Sequence, residues 1–166
     1  MTDSALGSLG VDLTNTYTSA GELPFAQGEP VRTKNGVAFL GRAVSGIAAF
    51  SLVCYTPASA QASASVDFFL ASVANVSGKL MGVAMTSISS AQYGWVHTEC
   101  NKEGKVRCAV SETGVPLFLT TTGGLVDDAV TSGKALTGLH ILASVGSAST
   151  PPAIWRDITL DRSTIA

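Results

Sequence analysis

The chain has 166 residues, of which 13% are charged, and a formal net charge of −2, so it carries about half the ordinary share of ionisable side chains. Ten Lys+Arg spread along the sequence form no basic cluster, which argues against a polyanion-binding role, and 46% apolar residues argue against disorder. Nearly half of the residues are Ala, Ser, Thr or Gly, a composition that suits close β packing and a surface that meets other protein.

Taken in chain order, Met1–Gly10 has neither a basic region nor a long apolar stretch, so it does not read as a signal peptide. Residues 1–24 read as an extended N-terminal arm, followed by a β domain over 25–166. Leu6, Leu9, Val11, Leu13 and Tyr17 punctuate the polar arm and are candidate contacts with a partner. Short runs rich in Val, Phe, Thr and Leu then alternate with Gly, Asn, Pro and Ser, the pattern of an antiparallel β-barrel or β-sandwich. The expected strands are 30–33, 37–45, 48–55, 66–70, 79–87, 94–100, 105–111, 116–121, 135–143 and 154–160. Asn35-Gly36 predicts a type I′ hairpin and Glu103-Gly104 a second tight turn. Residues 56–65 form an Ala/Ser-rich loop. The longest apolar run, Gly46–Tyr55, falls well short of the ~20 residues that span a bilayer. No window has a helical apolar stripe, so the fold class is all-β.

Two internal similarities stand out. Val31–Leu40 resembles Val106–Leu119, and Leu80–Val83 followed by Trp95 resembles Leu136–Leu139 followed by Trp155. They fit either two related β units or the chance likeness of strands built from few residue types.

A search for chemistry finds little. There is no G-x-S-x-G elbow, and the stretch nearest a phosphate loop, ending Gly133-Lys134, lacks both the first Gly and the final hydroxyl. His97 and His140 each lie inside an expected strand, where a structural role is the ordinary one. A turn centred on Gly104 would set Cys100 opposite Cys108 with His97 nearby. That allows buried thiols, a cross-strand disulfide or a zinc site, with buried thiols favoured because residues 97 and 100 face opposite ways on a strand. Asp127-Asp128 reads as a solvated turn, and Asn75-Val76-Ser77 is a glycosylation sequon that means little without a secretory signal. No catalytic, cofactor or metal site is expected. Tyr93, Trp95 and Trp155 are candidate interface residues, because Trp and Tyr concentrate at interfaces.

The stretch Gly82–Thr98 (GVAMTSISSAQYGWVHT) and the Pro-Leu-Phe, Thr/Gly and Val-Asp-Asp segments within Val115–Leu142 resemble tailed-phage head decoration, or capsid cement, proteins. The resemblance covers roughly residues 66–160. It implies a non-enzymatic virion protein made in the host cytoplasm that binds the outer capsid surface and braces major capsid protein subunits, commonly as a homotrimer. Neither nucleic acid nor membrane is an expected partner. The alternatives are another virion part, such as a tail or fibre-base domain, or a carbohydrate-binding β-sandwich with exposed Tyr93, Trp95 or Trp155 as sugar platforms.

Overall fold

The computed structural model describes residues 12–55, 66–76, 80–130 and 134–161. Ten strands follow in chain order: β1 (Val31–Thr33), β2 (Gly36–Ala43), β3 (Leu52–Tyr55), β4 (Asp67–Leu70), β5 (Leu80–Ala84), β6 (Tyr93–Lys105), β7 (Leu117–Leu119), β8 (Val126–Asp127), β9 (Ala135–Ile141) and β10 (Pro152–Leu160). Among the described residues the only helical turn is a short 3-10 segment, Ala20–Glu22. The fold class is all-β, as the strand pattern predicts.

Five strands close a barrel. The hydrogen-bonded order runs β2-β4-β3-β5-β6, and a long β2–β6 pairing from Gly36↔Cys100 to Arg42↔Tyr93 seals the ring. Every pair in the ring is antiparallel except β2–β4, which is parallel. A bidentate pair spans that parallel junction, with Arg42 Nε and Nη2 donating to Asp67 Oδ1 and Oδ2 at 3.0 and 3.3 Å. The strands β10, β9, β7 and β8 continue outward from β6 as a second sheet layer.

Strand alternation sorts the apolar residues into three cores. Phe39, Val53, Tyr55, Phe68, Ala84 and Val96 fill the barrel interior with Ile47 and Ile88, and Phe39 meets Tyr55 and Phe68 edge-on. The opposite phase of β3 and β5, namely Leu52, Cys54, Met81 and Val83, faces the second layer and packs with Leu117, Leu139 and Trp155. The outer face of β2 and β6, carrying Ala38, Leu40 and Trp95, is covered by Leu13, Tyr17, Leu23 and Phe25 of the N-terminal segment. Both phases of β2, β3 and β5 are therefore apolar, because both of their faces are buried.

Four turn and strand expectations change. The β1–β2 hairpin forms, but Thr33 pairs with Gly36, so the two turn residues are Lys34 and Asn35. Neither has positive φ, so the turn is not type I′. Gly36 instead opens β2 at φ 154°, where an added Cβ would overlap the Glu99 carbonyl oxygen. Second, no turn occurs at Glu103-Gly104, because β6 runs straight through to Lys105. Gly104 is small there because the Trp155 ring occupies the place of its side chain. Third, 106–111 is not a strand; it is held through isolated bridges of Cys108 to Val126 and Ser149 and of Ser111 to Val145. Fourth, Val126–Asp127 is a short strand, so Asp127, read with Asp128 as a solvated turn, pairs with Phe118. The Ala/Ser-rich loop at 56–65 lies outside the described residues.

The internal similarity has a structural counterpart. The loop between β2 and β3 bridges the loop between β5 and β6 through Ile47 and Ile88, with reciprocal backbone hydrogen bonds of 2.9 and 2.8 Å. Past the end of β6, Ser111 and Val145 bridge in the same way at 2.9 and 2.8 Å. Phe50, Ala91 and Gly114 each sit three residues after a bridging residue, all with positive φ (63°, 64° and 85°). The bridges thus set the β5–β6 loop against the β9–β10 loop, the two connections that precede Trp95 and Trp155. Val31–Leu40 does not align with Val106–Leu119 in this frame, because the bridges match Ile47 with Ser111. Ala91 holds its left-handed conformation against a side-chain penalty, so Ala91→Gly is expected to stabilise the fold by about 0.5–1 kcal/mol, seen as a higher thermal midpoint.

Candidate functional site

The structure gathers four of the expected interface residues into one seam. Tyr17 bridges Tyr93, each backbone N–H donating to the other's carbonyl at 2.9 Å, which pins the N-terminal segment to the start of β6. Leu13 and Trp95 are fully buried in that seam, and Phe25 meets the Trp95 ring edge-on at 6.0 Å. Tyr17 and Tyr93 are half-buried. Leu6, Leu9 and Val11 lie outside the described residues. Trp155 lies elsewhere: it is 2% exposed, packs over Gly104, and its indole N–H donates to the His97 carbonyl at 3.1 Å. Leu13, Trp95 and Trp155 are thus packing residues of this chain and offer no ring or methyl to an outside partner. The tryptophans cannot serve as sugar platforms, which leaves the carbohydrate-binding alternative only the half-buried Tyr93.

The polar candidates resolve in the same direction. His97 is 1% exposed with neither ring nitrogen hydrogen-bonded, and burial pushes it down to about 4. His140 is exposed. Cys100 and Cys108 do not face each other across a hairpin, since β6 has no turn between them; both, like Cys54, are buried thiols outside any disulfide. Burial also raises the Cys108 thiol, which lowers its thiolate fraction. Among the described residues no cluster of His, Cys, Asp and Glu has the grouping to hold a metal ion.

Two surface features remain. One is a cavity of about 340 Å³ at the mouth of the barrel, walled by Phe39, Tyr55, Val66 and Leu80 and edged by Thr98 and Asp157. Asp157 reaches it from a break in the β9–β10 register between Trp155 and Thr159, where it holds φ at 48°. Burial and then the Asp157 charge push the Tyr55 phenol up to about 12, so it stays protonated. Nothing in the sequence marks this site, because W-R-D-I reads as ordinary strand and Phe39 and Tyr55 as ordinary core. The other feature is apolar. Val110, Val115, Val130 and Leu142 are exposed large hydrophobics on or next to loops beyond the second layer. Hydrogen bonds tie these loops together, from Asp128 N–H to the Val110 carbonyl at 3.1 Å and from Thr113 N–H to Ser144 Oγ at 3.0 Å.

No family model and no curated protein matches the sequence. Among solved structures, the chain is similar to the N base of the head fibre gp8.5 of bacteriophage phi29, at 14% identity and a TM-score of 0.52. The match covers 75% of this chain and 98% of that one. The five-stranded barrel with its outer strands is thus a fold shared with the base of a phage head fibre.

Proposed function

We propose that the protein is a non-enzymatic structural component of a phage particle, seated on the outside of the capsid in the manner of a head-fibre base. The observation that carries this reading is the likeness to the phi29 head-fibre base, which extends over nearly the whole of that domain. The decoration role implied by the sequence resemblance is a closely allied function, since both place a small β domain on the head. Two physical features support it: few charges to desolvate on assembly and an exposed apolar loop end. A protein that binds the assembled shell but not its free subunits stabilises the shell by mass action. Repetition over a closed lattice removes the need for any one contact to be strong. The major capsid protein is the partner in this reading, and the homotrimer its working form.

The test is to purify particles of the encoding phage, identify the chain by mass spectrometry and locate it with gold-labelled antibody. Label on the head, with a trimer mass in light scattering of the isolated protein, is the expected result. Particles without the chain would end the virion reading, and label confined to the tail would move it to the tail alternative.

A further inference from the structure

We propose that the mouth of the barrel is a receptor for an alkylammonium group, namely the lysine side chain of a neighbouring protein. The argument starts from what the cavity offers. Its walls are apolar and aromatic, from Phe39, Tyr55, Val66 and Leu80, which suits a hydrocarbon stem. Its polar side chains are oxygen groups: the Asp157 carboxylate, the Tyr55 phenol and the Thr98 hydroxyl. Thr98 spends its proton on the Val37 carbonyl at 3.3 Å, so Oγ1 turns only lone pairs to the cavity. An ammonium group has three donors and no acceptor, which matches three oxygens, and its charge matches Asp157, the one ionic group among the described lining residues. A single carboxylate is too little for a metal ion, while a guanidinium, which one carboxylate can also hold as Asp67 holds Arg42, is the competing occupant that the titration separates.

The carboxylate is placed there by the backbone. Asp157 sits at φ 48°, a left-handed conformation that Asp and Asn adopt more readily than other residues with a side chain. The register break that carries Asp157 presses its backbone onto β9 at Gly138, where a Cβ would overlap the Arg156 carbonyl oxygen. Bulges of this kind re-aim side chains. Here the bulge brings the carboxylate to the cavity edge. Among the described residues Asp157 makes one ion pair, with its neighbour Arg156, Nε to Oδ2 at 3.8 Å, between two side chains that are 75% and 88% exposed. A contact of that kind contributes little and leaves the carboxylate available.

This inference does not depend on the virion reading, and it is tested on the purified full chain in solution. Amide resonances are followed by nuclear magnetic resonance while n-butylammonium, n-butanol or n-propylguanidinium is added. The expected result is saturable shifts centred on Tyr55, Thr98 and Asp157, with butylammonium binding roughly fivefold more tightly than butanol. Asp157→Asn should remove that preference. Asn accepts the left-handed conformation as readily as Asp, so the bulge persists and an unchanged spectrum elsewhere verifies the fold. Equal binding of amine and alcohol, shifts centred elsewhere, no shifts at all, or an Asn variant that keeps the preference would overturn the proposal. Tighter binding of the guanidinium would overturn the assignment to lysine.

Discussion

Trp155→Ala is expected to cost about 3–5 kcal/mol of folding stability, measured as a lower denaturant midpoint at unchanged slope. The ring fills the space over Gly104 and belongs to the core between the barrel and the second layer. Truncation opens a cavity that the flanking strands cannot close, because Gly104 has no side chain to follow the ring inward. It also strips the His97 carbonyl of its buried 3.1 Å donor, and an orphaned acceptor adds to the cost. Trp155→Phe keeps much of the volume while losing the indole N–H, so its loss should be well below that of Ala. If Trp155→Ala cost less than ~1 kcal/mol, the second layer would not be held to the barrel through this ring.

Acid should weaken the fold through His97, by a contribution on the order of 3 kcal/mol. The sign follows from where the proton binds. In the unfolded chain the imidazole takes a proton as pH falls through its ordinary 6.5, whereas in the folded chain burial holds it off until about 4. The unfolded state therefore binds more protons across that window, and the stability present above pH 6.5 is lost as pH falls toward 4. Ala38 of β2 and Val83 of β5 pair opposite His97, and the Trp155 ring of β10 lies 6.5 Å away; none of these carries a charge that would oppose the shift. His97→Leu removes the titration together with the two unpartnered nitrogens. The stability of wild type minus that of this variant should fall by about 3 kcal/mol between pH 7 and pH 3.5, whichever of the two is the more stable at pH 7. Taking the difference cancels acids that also titrate there, such as Asp12 and Glu22, which hydrogen bonds hold below the ordinary range. A difference that stays constant with pH would show that the imidazole reaches solvent in the folded state.

How far the sequence reveals this fold depends on the kind of signal. Strand identity was legible wherever a run of apolar residues was bounded by turn residues, as at 66–70 and 135–143, and so was the all-β class. The closed barrel was one of two open choices, since its closure rests on β2 meeting β6, a long-range pairing that no local pattern encodes. Gly36 and Gly104 were misread for one shared reason. Both mimic turn glycines, but each is small because something from elsewhere in the chain, the Glu99 carbonyl or the Trp155 ring, lies against it. Trp95 and Trp155 read as interface candidates in the sequence, yet their partners are internal: the N-terminal segment for one and β6 for the other. At the barrel mouth, Asp157 depends on a bulge that has no glycine or proline of its own to announce it. The glycine that makes room is Gly138, on the neighbouring strand.

The position of β6 also bears on how the chain reaches its native state. One edge of this strand follows β2, while the other is shared, first with β5 at Val96 and His97 and then with β10 from Glu99 to Lys105. Neither layer has a complete set of neighbours until this one strand is in place, so neither is a candidate for independent folding. The pairings it makes join segments far apart in sequence, and such loops must close before contacts compensate for them. Refolding is therefore a slow event for a chain of this length, in the millisecond-to-second range typical of non-local β topologies. A nick within β6 would dissolve both layers together instead of releasing a stable fragment.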